Sequence, residues 1–477
     1  MCSQGANFVL RVGSLMVLAR LLDPKDFGLV GMVTAVTGVL SLFRDFGLSS
    51  ASVQRGEVTD HQVSTLFWIN MLVGAVLWLL LSAVSPFVSK FYHEPRLLNV
   101  TLVLATGFLF NAAGVQHSAR LQRQMRFTAL SVIDIVSLVL SIAIGIVMAA
   151  RGYGYWALVG MTVAAPIIST VCFWMATAWI PGAPRRQTGT RSLLRFGGTM
   201  TLNGLVVYVA YNFEKVLLGR YWGAAAVGIY GRAYQLINIP TDNLNSSVGE
   251  VAFSALSRLQ GEPHRLKNYF LKGYAFVLAM TLPVTILCAV FADSLIAVVL
   301  GPKWKEAAPI FRLLAPTMVS FALINPFGWL LFSMGMVARS LKIALVIAPL
   351  VMTAYVAGLR FGPKGVALAY SVAMVVWIVP HIVWCIHGTV ISFKDVMLAI
   401  SKPTLSAATA AALVIPFQFF FGRRLPSLPQ LLVGGTILFA VYLWMLLYVM
   451  GQKEFYLDLL RGLRRRPASV DKALVPA

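Results

Sequence analysis

Fourteen apolar stretches of about 20 residues, each long enough to cross a bilayer, follow one another along the whole chain with short polar loops between them. Their bounds are about 6–22, 27–53, 64–92, 97–118, 128–150, 154–180, 197–219, 226–257, 268–300, 307–335, 340–360, 364–387, 400–422 and 428–450. In lipid every backbone N–H and C=O must be paired within the protein, so stretches of this length and number are expected as helices. The expected fold class is therefore an all-α polytopic membrane protein of about 14 transmembrane helices. A mean hydropathy of +0.79 agrees, as does a charged share of 12%, about half that of a soluble domain. No loop is long enough for a fused catalytic domain, and no cleavable signal peptide is expected at the start.

The 39 Lys and Arg outnumber the 17 Asp and Glu, leaving a formal charge of +22. In a soluble protein that excess would point to nucleic acid; here no nucleic-acid partner is expected, because cationic loops set membrane topology and face anionic lipid. With cations at span edges counted in the adjoining loop, loops after even-numbered spans and the C-terminal tail hold 21 Lys and Arg against 12 after odd-numbered spans. The positive-inside rule then puts both termini in the cytoplasm. Cys2, Cys172, Cys288 and Cys385 have no paired spacing and read as small hydrophobes, and the six histidines are scattered. No metal, no other cofactor, no phosphate-binding Gly-rich loop and no catalytic triad is expected, so the chain is not expected to be an enzyme.

The sequence also repeats itself. Leu18-Ala19-Arg20 followed by Gly28 recurs as Leu218-Gly219-Arg220 followed by Gly228. Arg96-Leu97-Leu98 recurs as Arg312-Leu313-Leu314, Asn111 as Asn325, and Gly152, Ala157 and Leu158 as Gly362, Ala367 and Leu368. Six spans separate the copies, so both halves enter the membrane from the same side, as parallel repeats do. The expected organisation is an N-lobe over 1–190, a C-lobe over 191–390, a helix pair over 391–452 and a basic cytoplasmic tail over 453–477. Helix-kinking prolines within spans are Pro240, Pro283, Pro316, Pro326, Pro349, Pro380 and Pro416, nearly all in the second half.

A charge in the bilayer core costs at least roughly 2.5–3.5 kcal/mol. Those within spans are Arg11, Arg44, Asp45, Asp134, Glu214, Lys215, Arg232, Asp242, Glu250, Lys272 and Arg312. Lys272 and Arg312 lie near span ends, where snorkelling accounts for them, and Arg44 and Asp45 near a cytoplasmic end. Arg11 lies roughly 13 Å deep with no carboxylate in its own span. Glu214 and Arg232 sit at similar depth on antiparallel neighbours, a position from which they can pair. The cation excess fits an anionic substrate, and guanidinium suits phosphate. Arg11, Arg44, Arg232 and Asn245 are the expected substrate-binding groups, and Asp45, Glu214, Asp242 and Glu250 the expected ion-pair or coupling groups. The aromatic patches, Trp68, Tyr153, Tyr208, Tyr211, Tyr230 and Tyr234 among them, read chiefly as interface belts.

Several runs resemble the Wzx-type polysaccharide exporters, especially their colanic-acid branch. They are FRDFGLSSASVQR at 43–55, STLFWINMLVG at 64–74, NFEKVLLGRYWG at 212–223, VGIYGRAYQL at 227–236, LGPKW at 300–304 and RLLAP at 312–316. The resemblance implies a fold of two six-helix bundles around a central cavity. It also implies the cargo: an oligosaccharide on undecaprenyl pyrophosphate, flipped from cytoplasmic to periplasmic leaflet by alternating access, with polymerase and export machinery as partners. Such chains begin with a longer basic segment, so this one is expected to start late. The competing reading on the same fold is a cation-coupled drug or metabolite antiporter.

Overall fold

The computed structural model describes residues 2–43, 60–183, 191–422, 425–454 and 456, without the side chains of 2–4, 6, 60, 191–204, 242–247 and 250. Every regular element among them is helical. In chain order these are α1 (Cys2–Leu21), α2 (Pro24–Ser41), α3 (Asp60–Tyr92), α4 (Arg96–Arg123), α5 (Phe127–Ala150), α6 (Tyr155–Thr177), α7 (Arg191–Arg258), α8 (Pro263–Val290) and α9 (Ala292–Val299). A 3₁₀ turn at Pro302–Trp304 leads to α10 (Ala307–Ser333), α11 (Val337–Leu359), α12 (Gly362–Ile386), α13 (Phe393–Phe420) and α14 (Ser427–Trp444).

The 68-residue α7 is two helices in one, broken at Gly223, whose φ of 79° lies in the left-handed region open to glycine. Counted so, fourteen helices of 18 residues or more stand among the described residues, as many as the apolar stretches of the sequence. Ten of them are long and apolar enough to span a membrane by length and composition alone. The boundaries differ in places. The stretch at 268–300 is interrupted at Phe291 and resumes as the short α9. The second stretch begins earlier, at Pro24, where the Asp26 carboxylate accepts the Asp23 N–H at 3.1 Å and proline occupies the first turn. Prolines interrupt the first half too, at Pro86 in α3 and Pro166 in α6.

The chain divides into two compact units. The first comprises Met1–Ile237, Leu295–Leu314 and Val337–Trp377, so it draws on both copies of the sequence repeat. In it α3 packs on α4, α5 on α6, α4 on α6 and α1 on α5. A small core of Leu77, Leu81, Ala105 and Phe108 seals the α3–α4 contact. The second unit comprises Asn238–Ser294, Ala315–Met336 and Ile378–Ala477, and is built on α8, α13 and α14. There the Tyr442 hydroxyl donates to the Ala279 carbonyl at 2.8 Å and the Tyr274 hydroxyl to that of Leu323 at 3.0 Å.

Within the first unit the sequence repeat becomes a set of reciprocal contacts. A Cβ on Gly28 would lie 1.7 Å from the Ala224 oxygen, and one on Gly228 would lie 1.9 Å from the Pro24 oxygen. The two repeated glycines therefore let the start of α2 and the second part of α7 meet backbone to backbone, as small residues do at membrane helix crossings. The buried Trp304 indole donates to the Ala19 carbonyl at 2.8 Å and meets Phe27 edge-on at 5.3 Å. In the other copy, Gly219 is the position packed under the Tyr92 ring. Arg20 donates to the Val298 carbonyl at 2.9 Å, while Arg220 hydrogen-bonds His93 and lies over Phe91. This seam absorbs LGPKW: its lysine, Lys303, pairs with Asp23 at 2.8 Å. Both arginines of the repeat are exposed and tied to these neighbours.

Candidate functional site

Arg11 opens onto a cavity of about 520 Å³ inside the bundle formed by α1, α2, α4, α5 and α6. Asn7 and Arg11 come from α1; Thr34, Thr37 and Ser41 from α2; Asn111 from α4; Asp134 and Ser137 from α5; Thr162 and Ser169 from α6. Leu104, Phe108, Leu138 and Pro166 supply apolar wall. Among the described residues Arg11 has no ion-pair or hydrogen-bond partner for its guanidinium, and Asp134 faces the same space without a salt bridge to it. The polar residues sit three, four or seven apart along each helix, as in Thr34, Thr37 and Ser41, so one face of α2 is hydroxylated. Asp134 lines the same cavity as Arg11, where the sequence marks it only as an intramembrane charge. The signal that would have found it is the small hydroxylated run around it, Ser131, Ser137 and Ser141.

A second polar cluster lies in the same unit on α7. The Glu214 side chain is buried, and its Oε2 has no hydrogen-bond partner among the described residues. Lys215 donates to Asn212 Oδ1 at 2.6 Å. Tyr92, Tyr208, Tyr230 and Tyr355 all stand within electrostatic reach of the Glu214 carboxyl. Tyr355 and Tyr370 meet at 5.2 Å between ring centroids, Tyr234 and Tyr370 at 6.1 Å, and Tyr230 stacks on Tyr234 at 6.2 Å. Tyr230, Tyr355 and Tyr370 are fully buried, so this group is packed interior. The reading of Tyr230 as part of an interface belt is thereby corrected, while Tyr208, Tyr211 and Tyr234 are half-buried. Trp68 and Tyr153 are exposed as a belt requires.

The pairing of Glu214 with Arg232 is not made: among the described residues no ion pair joins them. The Arg232 guanidinium instead lies 4.2 Å from the centroid of the Phe27 ring and donates to Gln235 Oε1. A cation over an aromatic face gains about 0.5–2 kcal/mol, depending on desolvation, which offers the guanidinium a partner in the first turn of α2. Asp242, Asn245 and Glu250 lie on α7, with side chains outside the described set; Arg44 and Asp45 lie outside the described residues altogether. Arg11 and Asp134 thus line one cavity, and Glu214 neighbours Lys215 on α7 in the unit that holds the buried tyrosines. Among the described residues no group of three or more His, Cys, Asp and Glu side chains is placed to hold a metal.

Comparison with known proteins bears on this arrangement. The family described as "Polysaccharide biosynthesis protein" matches residues 17–309. The chain is 32% identical over 296 residues to the teichuronic acid biosynthesis protein TuaB of Bacillus subtilis (strain 168), a match covering 61% of each chain and so under two thirds of TuaB. It is 24% identical over 418 residues to the lipopolysaccharide biosynthesis protein WzxC of Escherichia coli (strain K12), covering 85% of this chain and 84% of WzxC. The succinoglycan biosynthesis transport protein ExoT of Rhizobium meliloti (strain 1021) matches at 22% identity over 99% of this chain and 96% of its own. Among solved structures, the lipid II flippase MurJ in an inward closed conformation superposes with a TM-score of 0.75 at 15% identity, covering 96% of this chain and all of MurJ. An inward-facing multidrug resistance transporter of the MATE family gives 0.64 at 13% identity, covering 83% and 96%. At these identities the structural likeness is one of fold.

Proposed function

The chain belongs to the polysaccharide biosynthesis protein family, and from that premise we propose that it is a flippase for lipid-linked oligosaccharides in the bacterial cytoplasmic membrane. The carrier is undecaprenyl pyrophosphate, the direction is from cytoplasmic to periplasmic leaflet, and the glycan then enters surface-polysaccharide assembly. The N-lobe over 1–190 and the C-lobe over 191–390 alternate access, with both termini cytoplasmic.

The observation that carries the reading is the cavity at Arg11. A charged, hydroxyl-lined space of about 520 Å³ inside an otherwise apolar bundle serves a hydrophilic cargo. The lipid tail needs no such space, because it stays in the bilayer while the head group crosses. Arg11 and Arg232, with Arg44 and Asn245, are the groups that meet the head group. Glu214, with Asp45, Asp242 and Glu250, supplies the ion pairs or the coupling to a gradient. Polymerase and export machinery take up the product.

The test is Arg11→Ala and Arg232→Ala in a cell that depends on this chain for its surface polysaccharide. Both variants are expected to insert at normal levels and to lose export. Wild-type polysaccharide from both would contradict the assignment.

A further inference from the structure

Five of the six hydroxyl groups around the Arg11 cavity are already committed in one direction. Thr34 donates to the Gly31 carbonyl, Thr37 to Thr34, Ser41 to Thr37, Thr162 to Leu158 and Ser169 to Pro166, at 2.8–3.4 Å. A carbonyl only accepts, so each hydroxyl has spent its single hydrogen on its own helix and has lone pairs left. Ser137 Oγ is buried and without a partner among the described residues, so it keeps a hydrogen to give as well as lone pairs, and Asn7 Oδ1 is an unpartnered acceptor there. Five of the six lining hydroxyls thus offer only lone pairs, and a ligand that satisfies them must bring hydrogen-bond donors.

The two charges narrow the choice further. Ionised pyrophosphate has no donor to offer and would face the Asp134 carboxylate across a wall of lone pairs. An inorganic cation or an ammonium would meet those acceptors but would face the Arg11 guanidinium. A neutral polyol suffers neither repulsion. Its hydroxyl hydrogens reach the acceptors and Asp134, and its oxygens accept from the five N–H donors of Arg11. Leu104, Phe108 and Leu138 offer apolar surface to the C–H face of a sugar ring. The volume of about 520 Å³ lies within the roughly 300–1,000 Å³ of small-molecule sites.

We propose that this cavity is a glycan subsite: it takes uncharged sugar of the transported oligosaccharide through its hydroxyls, and the pyrophosphate is held elsewhere. The proposal rests on the flippase reading above and assigns Arg11 to sugar, where its charge alone points to phosphate.

The experiment uses the full chain in lipid nanodiscs and glycan released by mild acid from the cell's own lipid-linked pool, so that neither lipid nor pyrophosphate is present. Binding is followed by equilibrium dialysis, with inorganic pyrophosphate and sodium chloride as competitors. The glycan is expected to bind, with neither competitor displacing it. Asp134→Asn should weaken it about tenfold or more, as loss of a charge-assisted hydrogen bond does, and Thr37→Val a few-fold. Thr37→Ser, which keeps the acceptor, should bind as wild type. The subsite is overturned if the wild type does not bind the glycan, if pyrophosphate or sodium displaces it, or if Asp134→Asn and Thr37→Val bind normally. The flippase reading fails by a different result, unchanged leaflet distribution of the lipid-linked oligosaccharide when the chain is deleted.

Discussion

Replacing Gly228 by alanine puts one methyl group into the seam between α2 and α7. The added carbon would lie 1.9 Å from the Pro24 oxygen, 2.8 Å from its carbonyl carbon and 3.1 Å from the Gly28 nitrogen, where ordinary contact begins at 3.4 Å. All three are backbone atoms, so no side chain can rotate away, and the helices must part by about 1.5 Å. Overpacking of this kind costs about 1–3 kcal/mol. Gly231, one turn further along the same helix, is the control: a Cβ there meets nothing within 4 Å. Gly231→Ala should be neutral or stabilising by about 0.5–1 kcal/mol, through helix propensity. Gly28→Ala should cost as much as Gly228→Ala. The double variant should cost less than the two together, because a seam once parted admits the second methyl more easily. Unfolding in mixed micelles, followed by tryptophan fluorescence, reads these differences. Wild-type stability for Gly228→Ala, or an equal loss for Gly231→Ala, would refute the reasoning.

Other substitutions separate the contacts around that seam. Trp304→Ala removes a fully buried indole and should cost about 3–5 kcal/mol, whereas Trp304→Phe, which gives up chiefly the hydrogen bond to Ala19, should cost about 1 kcal/mol in the same unfolding assay. Lys303→Ala breaks an ion pair whose side chains are 47% and 65% exposed, so a loss of no more than about 1 kcal/mol is expected. Glu214→Gln keeps the shape of the buried side chain and removes its charge. Expression and melting should hold or improve while export is lost, and normal export would remove Glu214 from the coupling role.

The helices were legible because a bilayer leaves the backbone few choices, and length and apolarity answer most of them. The repeat was legible for a related reason: Gly152 and Gly362, matched by position, both adopt left-handed φ, at 83° and 69°. Packing was less so. Nothing in local sequence says that Trp304 reaches Ala19, 285 positions away, or that Arg232 turns to Phe27 and not to Glu214. Tyrosines look alike whether they border a membrane or fill a core, and their neighbours on α11 and α12 come from more than 100 positions along the chain. Arg11 was found because depth alone makes an arginine conspicuous; Asp134 needed the fold to bring α5 against α1.

The central claim, that this chain carries lipid-linked oligosaccharide between leaflets, is tested most directly by deleting it and assaying that lipid in each leaflet of the cytoplasmic membrane. Accumulation in the cytoplasmic leaflet, with surface polysaccharide lost and both defects reversed by the intact gene, is the predicted result. An unchanged distribution with normal polysaccharide would contradict it.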